Sequence, residues 1–170
     1  HDGLALSLWL GAVHLALLPL LVWSIGSGVH LDVLDKIIVL TGAGLWFGQV
    51  SNSNAHELIH RSSRWQRRLG NILYRSILYG HHATAHVRIH HVHAATDADP
   101  NSARVGEGFW SFALRCATGE YVEGLRAENA ARARKSSKPR LLTHPYLRDG
   151  AISLASLALA FALAGTSGVF

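Results

Sequence analysis

The segment IIVLTGAGLWFGQVSNSNAHELIH, residues 37–60, joins an apolar run to a pair of histidines. Its first twelve residues carry no charged side chain, which is typical of a helix inside a bilayer, and it turns polar from Gln49 onward. His56 and His60 follow at a spacing of four residues, so one continuous helix would carry both imidazoles on the same face. This pattern predicts a membrane-spanning helix over about residues 37–55 that delivers two histidines just outside the bilayer.

Two more apolar runs flank this segment, at residues 4–25 and 151–170. The first has no acidic, lysine or arginine side chain, and each run is about 20 residues long, enough to cross the hydrocarbon core. We therefore expect an all-α integral membrane protein with about three transmembrane helices. His14 interrupts the first run, and we expect it to be a neutral histidine hydrogen-bonded inside the helix bundle.

Basic residues are confined to the stretch between the second and third runs. Of the 16 lysines and arginines, only Lys36 precedes residue 61 and none follows Arg148. Because the flanking runs are apolar, this distribution indicates the cytoplasmic side of a membrane protein and not a nucleic-acid interface. We place residues 56–148 there. They include a helix at about 109–134 that we expect to lie on the membrane surface.

Eight of the twelve histidines fall between His56 and His93. His82 and His86, and again His86 and His90, repeat the four-residue spacing of helical neighbours. Imidazole is a good ligand for iron, zinc and copper, and clustered histidines at helical spacing favour metal binding. The single cysteine excludes cysteine-rich zinc motifs.

Two other functions fit parts of this pattern. HELIH alone matches the zinc-protease signature HExxH, in which Glu57 would be the general base. A catalytic zinc uses three protein ligands, and this chain offers more histidines than one zinc needs, which favours two metal ions and redox chemistry. A metal transporter or binding module is less favoured, because the clusters follow the apolar runs and do not interrupt them.

The segments NAHELIHR (54–61), YGHHATAHVRIHH (79–91) and TDADPNSARVGE (96–107) carry a family resemblance. Together they resemble the integral-membrane alkane 1-monooxygenases of the membrane fatty acid desaturase/hydroxylase superfamily. The resemblance implies two non-haem iron ions, O2 as co-substrate, a rubredoxin-type electron donor and hydroxylation of a terminal methyl group to a primary alcohol. It also implies a bacterial inner-membrane location with the metal site facing the cytoplasm. A fatty acid or lipid desaturase or hydroxylase of the same superfamily is the alternative.

The resemblance also implies roles for individual residues. The expected iron ligands are His56, His60, His86, His90 and His91. Glu57 is expected to support a ligating histidine by hydrogen bonding, and His82 is a candidate for the same role. From the sequence alone, Asp97 and Asp99 are either such supporting residues or part of a turn that ends the helix. The family often has glutamate and glycine where this chain has Ala85 and Ile89, which affects substrate assignment more than the ligands. The chain lacks methionine and begins at His1, so we expect residues 1–170 to be one partial domain whose remaining ligands lie beyond Phe170. Alone, this chain is expected to be inactive.

Overall fold

The structure is a computed structural model that describes residues 2–28, 30–135 and 141–165. The described residues form helices and turns and contain no β-strand, which confirms the all-α expectation. The α-helices are α1 (Asp2–Trp23), α2 (Val33–Leu45), α3 (Asn52–Ile59), α4 (Arg64–Ser76), α5 (His82–Ala85), α6 (His91–His93), α7 (Phe109–Lys135) and α8 (Pro145–Ala164). The same described residues also form three π-helical turns (Ser24–Gly28, Trp46–Ser51 and His86–His90) and one 3-10 turn (Leu141–Thr143).

The chain divides into two compact units. The first unit comprises His1–Tyr79 and Ala151–Phe170, and the second comprises Gly80–Gly150. The first unit contains HELIH and the second contains HVRIHH, so each unit holds one of the two histidine motifs.

Within the described part of the chain, three helical segments are long and apolar enough to cross a membrane: Gly3–Gly26, Val33–Ile59 and Pro145–Ala164. Their apolar side chains point outward, as in Trp9 (72% exposed) and Leu154 (69% exposed), which suits a hydrocarbon environment and not water. This confirms the three expected spans. Residues 166–170 of the third span and the loop at 136–140 lie outside the described residues.

The second span is one helical path that begins at a capping box. The Asp35 amide donates to the Asp32 carboxylate (2.8 Å), and the Asp32 amide donates to the Asp35 carboxylate (3.4 Å). At the π-helical turn the Asn52 amide donates to the Phe47 carbonyl, five residues earlier. The helix then continues through α3, so the helix that contains the apolar run also carries His56 and ends at His60, its C-cap residue.

His14 fastens α1 to this π-helical turn. Its Nδ1 lies 2.5 Å from Ser51 Oγ and its Nε2 lies 2.7 Å from Ser76 Oγ. Ser76 donates its own hydroxyl proton to the Leu73 carbonyl, so it accepts from Nε2–H of His14. His14 is fully buried and forms hydrogen bonds through both ring nitrogens, which confirms the expectation of a hydrogen-bonded histidine inside the bundle.

Helix α4 packs alongside the first half of α1. Gly3 faces Arg61, Gly11 faces Leu69, and His14 meets Ser76, so the two segments run in the same direction. The apolar end of α4 therefore lies along a spanning helix, which favours a re-entrant course for this short segment.

Close packing of α3 on α4 depends on Gly70. A Cβ added there would lie 2.8 Å from the Ala55 carbonyl oxygen and 2.9 Å from Leu58 Cβ. Leu58 and Leu73 are fully buried at this contact, which holds the HELIH segment against α4.

We expect Gly70→Ala to destabilise the first unit by about 1–3 kcal/mol, because the new methyl group meets backbone that cannot yield without separating α3 from α4. Thermal unfolding in detergent micelles, followed by circular dichroism, measures this loss. Gly42→Ala is the matched control, since nothing lies within 4 Å of a Cβ at that position. Equal melting temperatures for the two variants would contradict this account of the packing.

Candidate metal centre

In the first unit, the imidazoles of HELIH converge through their Nε2 atoms. His56 Nε2 lies 3.3 Å from His60 Nε2, and the two ring centroids are 4.7 Å apart. The convergence follows directly from the helix, which brings side chains four residues apart onto one face. His60 is exposed at the end of α3, and His56 is partly buried.

In the second unit, a π-helical turn sets the pairing of the histidines. The His91 amide donates to the carbonyl of His86, five residues earlier, whereas in an α-helix it would donate to the carbonyl four residues earlier. As a result His86 Nε2 lies 3.0 Å from His91 Nε2. In an ideal α-helix, side chains five residues apart point about 140° away from each other, so this pair depends on the π-helical turn.

His90 is oriented by a buried carboxylate. Its Nδ1–H donates to Asp99 Oδ2 over 2.8 Å, which leaves Nε2 as the nitrogen able to bind a metal ion. Asp99 is fully buried and also accepts from the Ser102 hydroxyl (2.6 Å) and the Asn101 amide (3.0 Å). Burial alone would raise the pKa of the Asp99 carboxyl, but these three hydrogen bonds outweigh it and lower the pKa. Asp99 is therefore an ionised acceptor at neutral pH.

Arg115 of α7 holds the loop that carries Asp99 by hydrogen bonds. Its guanidinium donates to the carbonyls of Pro100 and Ser102, each over 3.0 Å, and it pairs with Glu107 over 2.5 Å. Hydrogen bonds from Arg115 lower the pKa of Glu107 to about 2, so the pair is charged across the neutral range. Arg115 of α7 thus helps to fix the loop position in which Asp99 accepts the hydrogen bond from His90.

Two glutamates lie on the buried face of α7, the helix that was expected to lie on the membrane surface. Glu120 is 1% exposed and accepts a short hydrogen bond from His82 Nδ1. Glu128 is 5% exposed and pairs with Arg88 over 2.8 Å. The sequence analysis did not predict that either glutamate is buried. The signal was their spacing, since Glu120, Gly124 and Glu128 follow one another every four residues and so share one face of the helix.

Glu57, Asp97 and His81 do not take part in the hydrogen bonds described above. Glu57 forms an ion pair with Arg61 over 2.8 Å and does not support a histidine in that arrangement. Asp97 is exposed to solvent. His81 packs edge-on against Tyr121, and burial lowers the pKa of His81 although the nearby Glu120 carboxylate opposes that shift.

The donor atoms fit a histidine-bound metal in each unit. A metal–imidazole bond of about 2.1 Å places two adjacent nitrogen ligands about 3.0–3.4 Å apart. The Nε2 pairs at 3.3 Å and 3.0 Å match this separation, which also suits an imidazole–imidazole hydrogen bond in the absence of metal. Neutral imidazoles, with a carboxylate on the opposite ring nitrogen of His90, are a suitable donor set for iron.

Comparison with known proteins gives a consistent family. The sequence model of the fatty acid desaturase family matches residues 36–170. Alkane 1-monooxygenase 1 of Pseudomonas aeruginosa is 33% identical over 126 residues, which make up 72% of this chain and 33% of that protein. The alkane 1-monooxygenase of Ectopseudomonas oleovorans is 26% identical over 153 residues, which make up 90% of this chain and 38% of that protein.

One similar protein is named for aromatic substrates and not for alkanes. The hydroxylase component of a xylene/toluene monooxygenase from Pseudomonas putida is 27% identical over 113 residues, which make up 65% of this chain and 30% of that protein. The chain spans about one third of the length of the curated relatives it matches.

Replacing Asp99 is expected to weaken metal binding without removing a ligand. In Asp99→Asn the amide oxygen still accepts from His90, but the negative charge that strengthens the imidazole is lost, and we expect about 10- to 100-fold lower iron affinity. Competition with a chromophoric iron chelator, using the full-length protein, measures the change. The control is Asp97→Asn, which alters an exposed acid two residues away. Similar losses in both variants would show that His90 does not depend on Asp99.

Glu107 is expected to make stability depend on pH. Its folded-state pKa of about 2 lies below the ordinary value of 4.5. The stability it contributes is therefore present above about pH 4.5 and is lost as the pH falls toward 2. Glu107→Gln should lower the melting temperature at pH 7, with the difference from wild type shrinking between pH 4.5 and 2. Glu123→Gln, in an exposed pair with Arg126, should show no such difference. A pH-independent effect of Glu107→Gln would contradict this assignment.

Proposed function

Because this chain belongs to the fatty acid desaturase family, we propose that it forms part of a membrane di-iron enzyme that hydroxylates alkanes or alkyl chains at a terminal carbon. Family membership supports an oxidoreductase of the hydroxylase and desaturase superfamily, and the alkane 1-monooxygenase relatives support the narrower reaction. The observation that carries the proposal is the convergence of paired histidine Nε2 atoms in each unit, with Asp99 fixing His90.

The proposed iron ligands in this chain are His56, His60, His86, His90 and His91. Bound iron supplies the activation of O2, which protein side chains cannot perform themselves. The helices contribute by presenting the ligating nitrogens in fixed directions, and Asp99 holds the tautomer of His90 by accepting its Nδ1–H. The overall reaction joins one oxygen atom to a terminal carbon and reduces the other to water, using two electrons and two protons.

An apolar cavity in the first unit supports an alkyl substrate. It has a volume of about 430 Å³, within the range of sites that bind small molecules. Its lining includes Leu15, Leu18 and Val22 of α1 together with leucines of α8. Such a lining excludes water and offers no charged partner, so it suits a hydrocarbon chain better than a peptide.

The membrane setting and the electron supply follow from the same proposal. The three spans support an integral membrane protein, and the basic residues between them favour the cytoplasmic side of a bacterial inner membrane. The two electrons would come from a soluble rubredoxin-type donor. Residues 1–170 would then be one part of a single membrane oxygenase domain.

Desaturation of a fatty acyl chain is the second candidate, since the matching family model is that of fatty acid desaturases. Both reactions would use the same histidines and an alkyl substrate. They differ in product: hydroxylation adds an oxygen atom, whereas desaturation removes two hydrogens and adds none.

The test is product analysis with the full-length protein, a rubredoxin and its reductase, 18O2 and a medium-chain alkane. We expect a primary alcohol that carries one 18O atom, and at least a 100-fold loss of product in His86→Ala because a proposed ligand is removed. Glu123→Gln is the control, since Glu123 lies in an exposed ion pair. An alkene, or an alcohol without 18O, would contradict the proposed hydroxylation.

A further inference from the structure

We propose that His82 is a further ligand of the proposed histidine-bound iron and that Glu120 is the residue that positions the His82 ring. The family resemblance does not assign His82 as a ligand and says nothing of Glu120. The inference deepens the proposed function, since it concerns the same histidine-bound iron and rests on that proposal.

One arrangement of a histidine and a buried carboxylate occurs twice in the second unit. His90, a proposed ligand, gives its Nδ1–H to the buried carboxylate of Asp99. His82 gives its Nδ1–H to the buried carboxylate of Glu120 in the same way. A carboxylate on Nδ1 fixes the tautomer in which Nε2 carries a lone pair, and ligating histidines in proteins commonly have such a partner.

The His82 ring also belongs to a stack of histidine rings. The His82 ring stacks on that of His86, with centroids 5.2 Å apart and an interplanar angle of 30°. The His86 ring stacks on that of His90 at 5.0 Å and 21°. His82 therefore stacks on one proposed ligand, His86, which itself stacks on another, His90.

A local structural feature holds this pair in place. Gly124 lies one turn beyond Glu120 on α7, and a Cβ there would come within 2.7 Å of Ala85 Cβ. The absence of a side chain at Gly124 lets α7 approach α5, which carries His82. Glu120 thus reaches His82 from a helix that packs directly against it.

The experiment measures iron retention by the full-length protein in lipid nanodiscs, loaded anaerobically with Fe²⁺ and challenged with a chromophoric chelator. We expect His82→Phe to weaken iron binding by at least 10-fold and to lower the number of imidazoles seen by X-ray absorption at the iron edge. We expect Glu120→Gln, which keeps an acceptor but removes the charge, to weaken binding about 10-fold. His93→Phe is the matched control, since His93 is another histidine of the second unit without an assigned role.

The outcomes separate this inference from the proposed function. Wild-type affinity and an unchanged absorption spectrum in His82→Phe, alongside loss of iron in His86→Ala, would overturn the inference and leave the proposed function standing. A wild-type protein that retains no iron would overturn both. Melting of the metal-free variants distinguishes a folding defect from a lost ligand. If His82→Phe does not fold, the nearly isosteric Glu120→Gln decides: unchanged iron affinity in that variant overturns the inference.

Discussion

The hydrogen bond from the His91 amide to the His86 carbonyl is the constraint on which the second histidine motif depends. It opens the helix by one residue per turn and so turns two imidazoles five residues apart toward each other, with their Nε2 atoms 3.0 Å apart. The first motif needs no such device, because His56 and His60 already share a face of a regular helix. The comparable separations in the two motifs are thus reached by two different backbone geometries.

Around these histidines the protein uses buried carboxylates on imidazole nitrogens. Asp99 comes from a loop that Arg115 and Glu107 hold against α7, and Glu120 comes from α7 itself. Helix α7 therefore acts as the support of the second motif and not only as an amphipathic helix at a surface. In the first unit, the corresponding support is apolar packing at Gly70 together with the polar anchor of His14 at Ser51.

The sequence predicts the spans and the first histidine pair well, because both depend on local periodicity. Twenty apolar residues require a spanning helix in a bilayer, and a four-residue spacing on that helix places His56 beside His60. The π-helical turn was not predicted, since the spacing of His86, His90 and His91 favours a regular helix as much as a widened one. Asp97 and Asp99 were equivalent in the sequence, and only the turn after α6 shows that Asp99 is buried and Asp97 exposed. Glu120 lies 38 residues from His82, beyond the reach of any local pattern. The assignment of the five histidines as iron ligands stays a prediction.

The central claim is that these histidines bind two iron ions in the full-length protein. Metal analysis of the purified protein, combined with X-ray absorption at the iron edge, tests this most directly. The account predicts about two iron ions per chain with a first coordination shell made mainly of imidazole nitrogens. One zinc ion per chain and no iron would contradict it, and would return HELIH to the zinc-protease interpretation that the motif alone permits.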